Sequence, residues 1–269
     1  MVKRWEIAIV GGTGGMGQVL VRDLKPFAEI VVISRSLEKA TQIAEELGVH
    51  GGILNDCKTA DIIIISIPID NMLETCQELF KIAKPGSLII DIAAVKSFLK
   101  EISPQIPAHL SYISMHPLFG PEGSFSGNNV LLVPLKGDKW LPILQKLLHD
   151  LKANTTIVEV EEHDLLMSKI QVAHHFMYLI LAAYLGQEQI PPNFYTRSFK
   201  KTLQNFQGIE KNLNVILDIQ KNNPHAEETR KEIVALMEQF ITLDQEPIIQ
   251  DMLNRVDAFK RTFLSKKEE

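Results

Sequence analysis

The sequence predicts an α/β fold, a doubly wound and mostly parallel sheet followed by an all-helical region, on three observations. Short β-branched runs alternate with amphipathic stretches through the first half; the runs are apolar without alternation; and beyond residue 160 they cease. Continuous Ile/Val runs mark strands buried on both faces, and β–α alternation lays covering helices on the two sides of a parallel sheet.

The predicted strands are EIAIV (6–10), EIVVIS (29–34), DIIIISIP (61–68), SLIIDIA (87–93), SYISM (111–115), NVLLVP (129–134) and TTIVEV (155–160). Apolar residues at helical spacing place helices over 16–24, 37–47, 71–82 and 140–151. From residue 161 only helical patterns follow, interrupted by QEQIPPN and KNNPHAEE, so a domain boundary is expected near residue 158. The terminal SKKEE reads as a frayed tail.

Composition excludes several classes. The 269 residues are 45% hydrophobic with a formal charge of −5, which leaves no electrostatic footprint for nucleic acid. Cys57 and Cys76 stand alone, without a CxxC or histidine pattern, so neither a disulfide framework nor a metal site is expected. No apolar run reaches the roughly 18 residues that would suggest a membrane span, and MVKRWEIAIVGG passes into a strand with no cleavable leader. The expectation is a cytoplasmic protein that meets no membrane.

The first strand runs into GGTGGMGQVL, in which Gly12, Gly14 and Gly17 carry the G-x-G-x-x-G spacing. Gly12 would permit the tight turn, Gly14 the approach of a pyrophosphate, and Gly17 close packing of helix on strand. With Thr13, Gly15 and Met16 the loop would aim helix N-terminal N–H groups at phosphates. Its position between a strand and a helix makes this a dinucleotide-binding, Rossmann-type domain over residues 1–158, followed by a helical substrate and dimerisation domain over 159–269. After the second strand, where a carboxylate would serve the ribose of NAD, stand Ser34, Arg35 and Ser36. A guanidinium and hydroxyls suit a 2′-phosphate, which predicts NADP over NAD. Ile67 and Pro68, ending the run over 61–68, complete the expected cofactor contacts.

His116 lies between a strand and the Pro/Gly-rich loop SMHPLFGPEG, a setting that suits proton chemistry at a cleft. MHPLFGPEG, DIAAVKS (91–97) and EEHDLLMSKIQVAHHF (161–176), in this order and spacing, resemble the prephenate and arogenate dehydrogenases of tyrosine biosynthesis, over roughly residues 5–185. The resemblance implies oxidative decarboxylation of prephenate to 4-hydroxyphenylpyruvate with hydride transfer to NADP. It assigns His116 as the histidine that draws the proton from the ring 4-hydroxyl, and Lys96 as the lysine of the family's SVK turn. His175, before Phe176, is the implied substrate or orienting ligand, while His163 and Asp164 match an EHD element read as a helix start. Gly120 and Ala94 would line the substrate. The family usually has serine at the position of Ala94, so water or the Ser97 hydroxyl would take its place, or the substrate would differ. Arg197, with Lys200 and Lys201 nearby, is the candidate for the substrate carboxylates. The resemblance also implies a homodimer through the helical domain. Alternatives within the same frame are an arogenate or amino-analogue dehydrogenase and a catalytically degenerate NADP-binding sensor.

Overall fold

The structure, a computed structural model, describes residues 4–243 and 245–264. Eight strands form one sheet: β1 (Trp5–Val10), β2 (Ala28–Ile33), β3 (His50–Gly52), β4 (Ile62–Ile65), β5 (Leu88–Asp91), β6 (Ser111–Pro117), β7 (Asn129–Lys136) and β8 (Asn154–Ile157). Their order is β3-β2-β1-β4-β5-β6-β7-β8, and every neighbouring pair is parallel except β6 and β7. This is the doubly wound sheet that the Ile/Val runs predict. β3 is the strand the sequence did not announce: two of its three residues are glycine, and it pairs only along the edge with Val31–Ile33. β8 stops at Ile157, short of the predicted 160, because Val160 already opens a helix.

Alternate residues along each strand point to opposite faces. Ile7, Ile9, Ile30, Val32, Ile62, Ile64, Ile90 and Met115 share one apolar layer with α1 (Gly15–Leu24), α2 (Leu37–Leu47) and α5 (Leu141–Asp150). Ala8, Val10, Ile63, Ile65, Ile89 and Tyr112 form the other with α3 (Met72–Ile82) and α4 (Leu99–Ile102).

Beyond the sheet, α6 (Val160–Met167), a π-turn (Ser168–Val172) and α7 (Ala173–Leu185) run as one continuous helix of 26 residues. Four helices follow: α8 (Arg197–Lys211), α9 (Leu213–Asn222), α10 (Ala226–Gln239) and α11 (Glu246–Phe259). The long helix corrects one sequence expectation. Its most apolar window has a mean hydropathy of 1.3, so by length and composition alone it is able to cross a membrane, although its scattered His, Ser, Lys and Gln break every uninterrupted run. Its first half turns one face, His163, Asp164, Met167, Ser168 and Val172, into the protein. None of the thirteen residues of α7 is fully buried. Val95, Val172, Ile219 and Ala226, with Ile69 and Ala94 against them, form a small apolar cluster that joins the helices to the loops at one end of the sheet.

Candidate active site

Because β1, β4, β5 and β6 are parallel, the loops after Val10, Ile65, Asp91 and Pro117 gather at one edge of the sheet, where open α/β sheets hold ligands. The loop after β1 is set by backbone crowding. Gly11 has φ +78°, and a Cβ there would press into the Ser66 carbonyl and the Ile67 side chain. The sequence reading gave the tight turn to Gly12; the left-handed conformation falls one residue earlier, and Gly12 is needed because a Cβ would stand 2.9 Å from the Ile9 carbonyl oxygen. At Gly17 a Cβ would lie 2.6 Å from the Gly12 Cα, so the helix can approach the loop only without a side chain.

Gln18 holds the loop by donating to the Thr13 carbonyl at 3.1 Å. Gly14 caps α1 and is exposed, Met16 is half-buried, and the first-turn N–H groups have no partner within the helix. A Cβ on Gly15 would meet Pro121 at 2.9 Å, which brings this loop against the one that follows His116. An exposed helix N-terminus, open at Gly14 and walled by close backbone elsewhere, fits a dinucleotide pyrophosphate. Pro68 is exposed beside half-buried Ile67. At the end of β2, Ser36 caps α2 by accepting from the Lys39 N–H at 3.3 Å, Ser34 Oγ accepts from the Ser36 N–H at 3.3 Å, and Arg35 is exposed.

His116 sits at the end of β6, 4% exposed, on the α3 face with Tyr112 and Ser114. Its Nδ1 lies 2.9 Å from His163 Nε2, and the other nitrogen of His163, Nδ1, lies 2.8 Å from Asp164 Oδ1. The same carboxylate oxygen accepts the backbone N–H of Lys96 at 2.8 Å. On its other side, His116 Nε2 is approached by the Gln171 amide nitrogen at 3.5 Å. Gln171 belongs to the π-turn, whose wider coil carries this side chain to the strand end, and π-turns gather at functional sites. Burial pushes His116 well below the usual imidazole range, and the charge of Lys96 adds to the effect. His163 is also drawn down, chiefly by burial, with Asp164 opposing.

The structure places Lys96 behind the histidine instead of in the cleft. It is 0% exposed, and its ammonium donates to Asp91 Oδ1 at 3.1 Å and to the Met115 carbonyl at 3.0 Å. Asp91 also accepts the Ala93 N–H at 3.0 Å and the Tyr112 hydroxyl at 3.1 Å. Burial lowers the Lys96 ammonium while the Asp91 charge holds it up. Lys96 therefore touches the site through its backbone, which fixes Asp164, and through its charge one residue from His116.

The remaining predicted residues divide. His175 lies one helical turn after Gln171 on the same face; its Nδ1 is buried without a partner among the described residues, and burial lowers it to about 4. His174 is exposed and packs on Tyr178, so of the pair His175 is the one that turns inward. Gly120 is exposed, with open space where a Cβ would be. Ala94 packs against the small apolar cluster, and Ser97 does not replace the missing hydroxyl, since it donates to the Asn222 carbonyl at 3.4 Å. Arg197 opens α8, exposed, and among the described residues no hydrogen bond or ion pair joins it to the histidine cluster. His163 and Asp164 are not a helix start. They lie inside α6, which begins at Val160, and reach across to β6 and the loop after β5.

Sequence reasoning passed over Asp91, Tyr112, Ser114 and Gln171. The signal was present: Tyr112, Ser114 and His116 recur every second residue, with Ile113 and Met115 between them, which lines one buried face of the strand with polar groups.

Residues 20–157 match the family model of the prephenate dehydrogenase nucleotide-binding domain. The chain is 29% identical over 189 residues to a Methanocaldococcus jannaschii protein described as "Probable arogenate/prephenate dehydrogenase", covering 67% of this chain and 42% of that protein. It is 26% identical over 191 residues to the T-protein of Haemophilus influenzae, covering 69% and 46%. The chain thus spans less than half the length of these two relatives. In fold it is similar to the A. aeolicus prephenate dehydrogenase crystallised with hydroxyphenyl propionate and NAD+, with a TM-score of 0.77 at 19% identity, covering 98% of this chain and 99% of the other. The match to the nucleotide-binding domain runs from the second half of α1 through the lysine turn and the His116 loop to β8, and on it the chain belongs to the prephenate dehydrogenase family.

Proposed function

We propose that this protein oxidatively decarboxylates prephenate to 4-hydroxyphenylpyruvate, with NADP taking the hydride. The observation that carries the reading is His116: a buried imidazole, held low by burial, at the C-terminal end of a sheet strand whose following loop meets the pyrophosphate-type loop, with the Gln171 amide as the partner of Nε2 among the described residues. Bound NADP supplies the acceptor for the hydride at ring C4. His116 Nε2 accepts the proton of the 4-hydroxyl as C4 becomes a carbonyl carbon. The electron pair of the bond to the ring carboxylate then moves into the ring, CO₂ leaves, and the proton returns to the phenolate oxygen. Aromatisation drives the reaction, so the protein's task is to orient the ring and polarise one hydroxyl.

Two features support the finer assignments. Arg35 lies exposed between two serines with no carboxylate beside them, which suits a 2′-phosphate. Prephenate is the substrate proposed over arogenate: Asp91 is held by Lys96, and Asp164 Oδ1 by His163 and the Lys96 backbone, which leaves Asp164 Oδ2 as the one carboxylate oxygen of this cluster without a partner among the described residues. A second copy of the chain is the natural cover for α7, where Met177, Ile180, Leu181 and Tyr184 recur at helical spacing and are all exposed. In this reading residues 1–158 bind the dinucleotide, and residues 159–269 close on the substrate and dimerise. His175, one turn from Gln171, orients the substrate from α7. The test offers prephenate and arogenate with NADP or NAD and identifies the product chromatographically. 4-Hydroxyphenylpyruvate from prephenate and NADP is expected; tyrosine formed from arogenate alone would transfer the assignment.

A further inference from the structure

Asp164, His163 and His116 form a directional hydrogen-bond chain. A carboxylate oxygen can only accept, and Asp164 Oδ1 takes two N–H groups, from the Lys96 backbone at 2.8 Å and from His163 Nδ1 at 2.8 Å. A neutral imidazole carries one hydrogen, so with Nδ1 donating, His163 Nε2 must be bare and can only accept. The atom facing it, His116 Nδ1 at 2.9 Å, is then the donor, and this leaves His116 Nε2 without a hydrogen.

We infer that His163 is a positioning residue which, anchored by Asp164, fixes His116 in the tautomer whose bare Nε2 receives the substrate proton. This rests on the proposed role of His116 and deepens it. The anchor is itself held from the helical region, where the Asn223 amide donates to the Asp164 backbone carbonyl at 2.9 Å.

The test is the tautomer of His116, read without substrate by ¹⁵N-edited NMR of imidazole-labelled protein and assigned by the signals lost in His116→Asn. In the wild type, Nδ1 should be protonated and Nε2 bare. His163→Leu removes the acceptor and should release the preference, with kcat lower by about 10²–10⁴-fold and KM little changed, as for a general base held in the wrong tautomer. His163→Gln, whose amide oxygen can still accept from Nδ1, should recover much of the loss, which a merely structural role would not predict. A wild-type His116 protonated at Nε2 would overturn the inference, as would a folded His163→Leu variant with unchanged tautomer and kcat. If His163→Leu fails to fold, the wild-type spectrum and the His163→Gln rates still decide. If wild-type protein is inert toward prephenate while the tautomer is as stated, the substrate assignment fails and the chain stands.

Discussion

Removing the Lys96 ammonium should cost far more stability than an ordinary lysine. Nζ is wholly out of water, 3.1 Å from Asp91 Oδ1 and 3.0 Å from the Met115 carbonyl. In Lys96→Met the side chain keeps its length, but the Asp91 carboxylate is stranded in the core with two donors left, the Ala93 N–H and the Tyr112 hydroxyl. Breaking a buried pair from one side costs about 3–5 kcal/mol. For a chain of this size that lowers Tm by about 6–20 °C. Replacing the stranded charge as well, in Lys96→Met/Asp91→Asn, should return at least half of the loss, because the two substitutions act on one interaction. Urea denaturation of the wild type, both single variants and the double variant provides the cycle. A Lys96→Met loss below about 1 kcal/mol, the scale of a solvated pair, would refute the reasoning. So would a double variant whose loss equals that of the two singles together.

Three further outcomes follow from the site. Arg35→Asp should shift the NADP to NAD activity ratio toward NAD by about tenfold to a hundredfold, the worth of one or two charge-assisted bonds exchanged for repulsion; an unchanged ratio removes Arg35 from the cofactor site. His116, His163 and His175 are all held neutral in the native protein, His175 down to about 4 from 6.5. As pH falls below about 6.5 the unfolded chain binds protons that the native state refuses, so stability should be complete above that value. It should then decline toward pH 4, by up to about 1.4 kcal/mol per pH unit for each histidine. Urea curves at pH 7.5 and 5.5 should differ less in His175→Leu than in the wild type, and equal differences would count against the buried neutral ring. On α7, Ile180→Glu with Tyr184→Glu puts two charges into an exposed apolar face, 43% and 70% open in the single chain. Sedimentation should show a dimer become a monomer, and a wild-type monomer would remove this face as an interface.

The strands and the first helices were legible in the sequence because burial on two faces writes itself as unbroken Ile/Val, and α2 falls on its predicted residues. The glycine motif was legible because backbone crowding at Gly17 tolerates nothing larger. The edge strand β3 was not, since His50–Gly52 carries no β-branched side chain and exists through pairing with β2. The antiparallel direction of β7 likewise leaves no mark in its own composition.

Within the site, His116 stood out through its loop, but its partners are set by the third dimension. His163 and Asp164 come from a helix more than forty residues further on, where the sequence reads them as a helix start and not as partners of a strand-end histidine. Lys96 was read as a site residue because it matches the lysine of the family's SVK turn at the C-terminal end of a sheet strand, where open α/β sheets hold ligands. Only the fold shows that Asp91, five residues earlier at the end of β5, draws its ammonium inward.

The role of His116 as the base of an NADP-linked dehydrogenase reaction is tested by absorbance at 340 nm with prephenate and NADP for the wild type and His116→Asn, alongside NADP titrations of both. The wild type should form NADPH with an equal yield of CO₂, and the variant should turn over at least about a hundredfold more slowly while NADP binds as before. Turnover in the variant at close to the wild-type rate would contradict it.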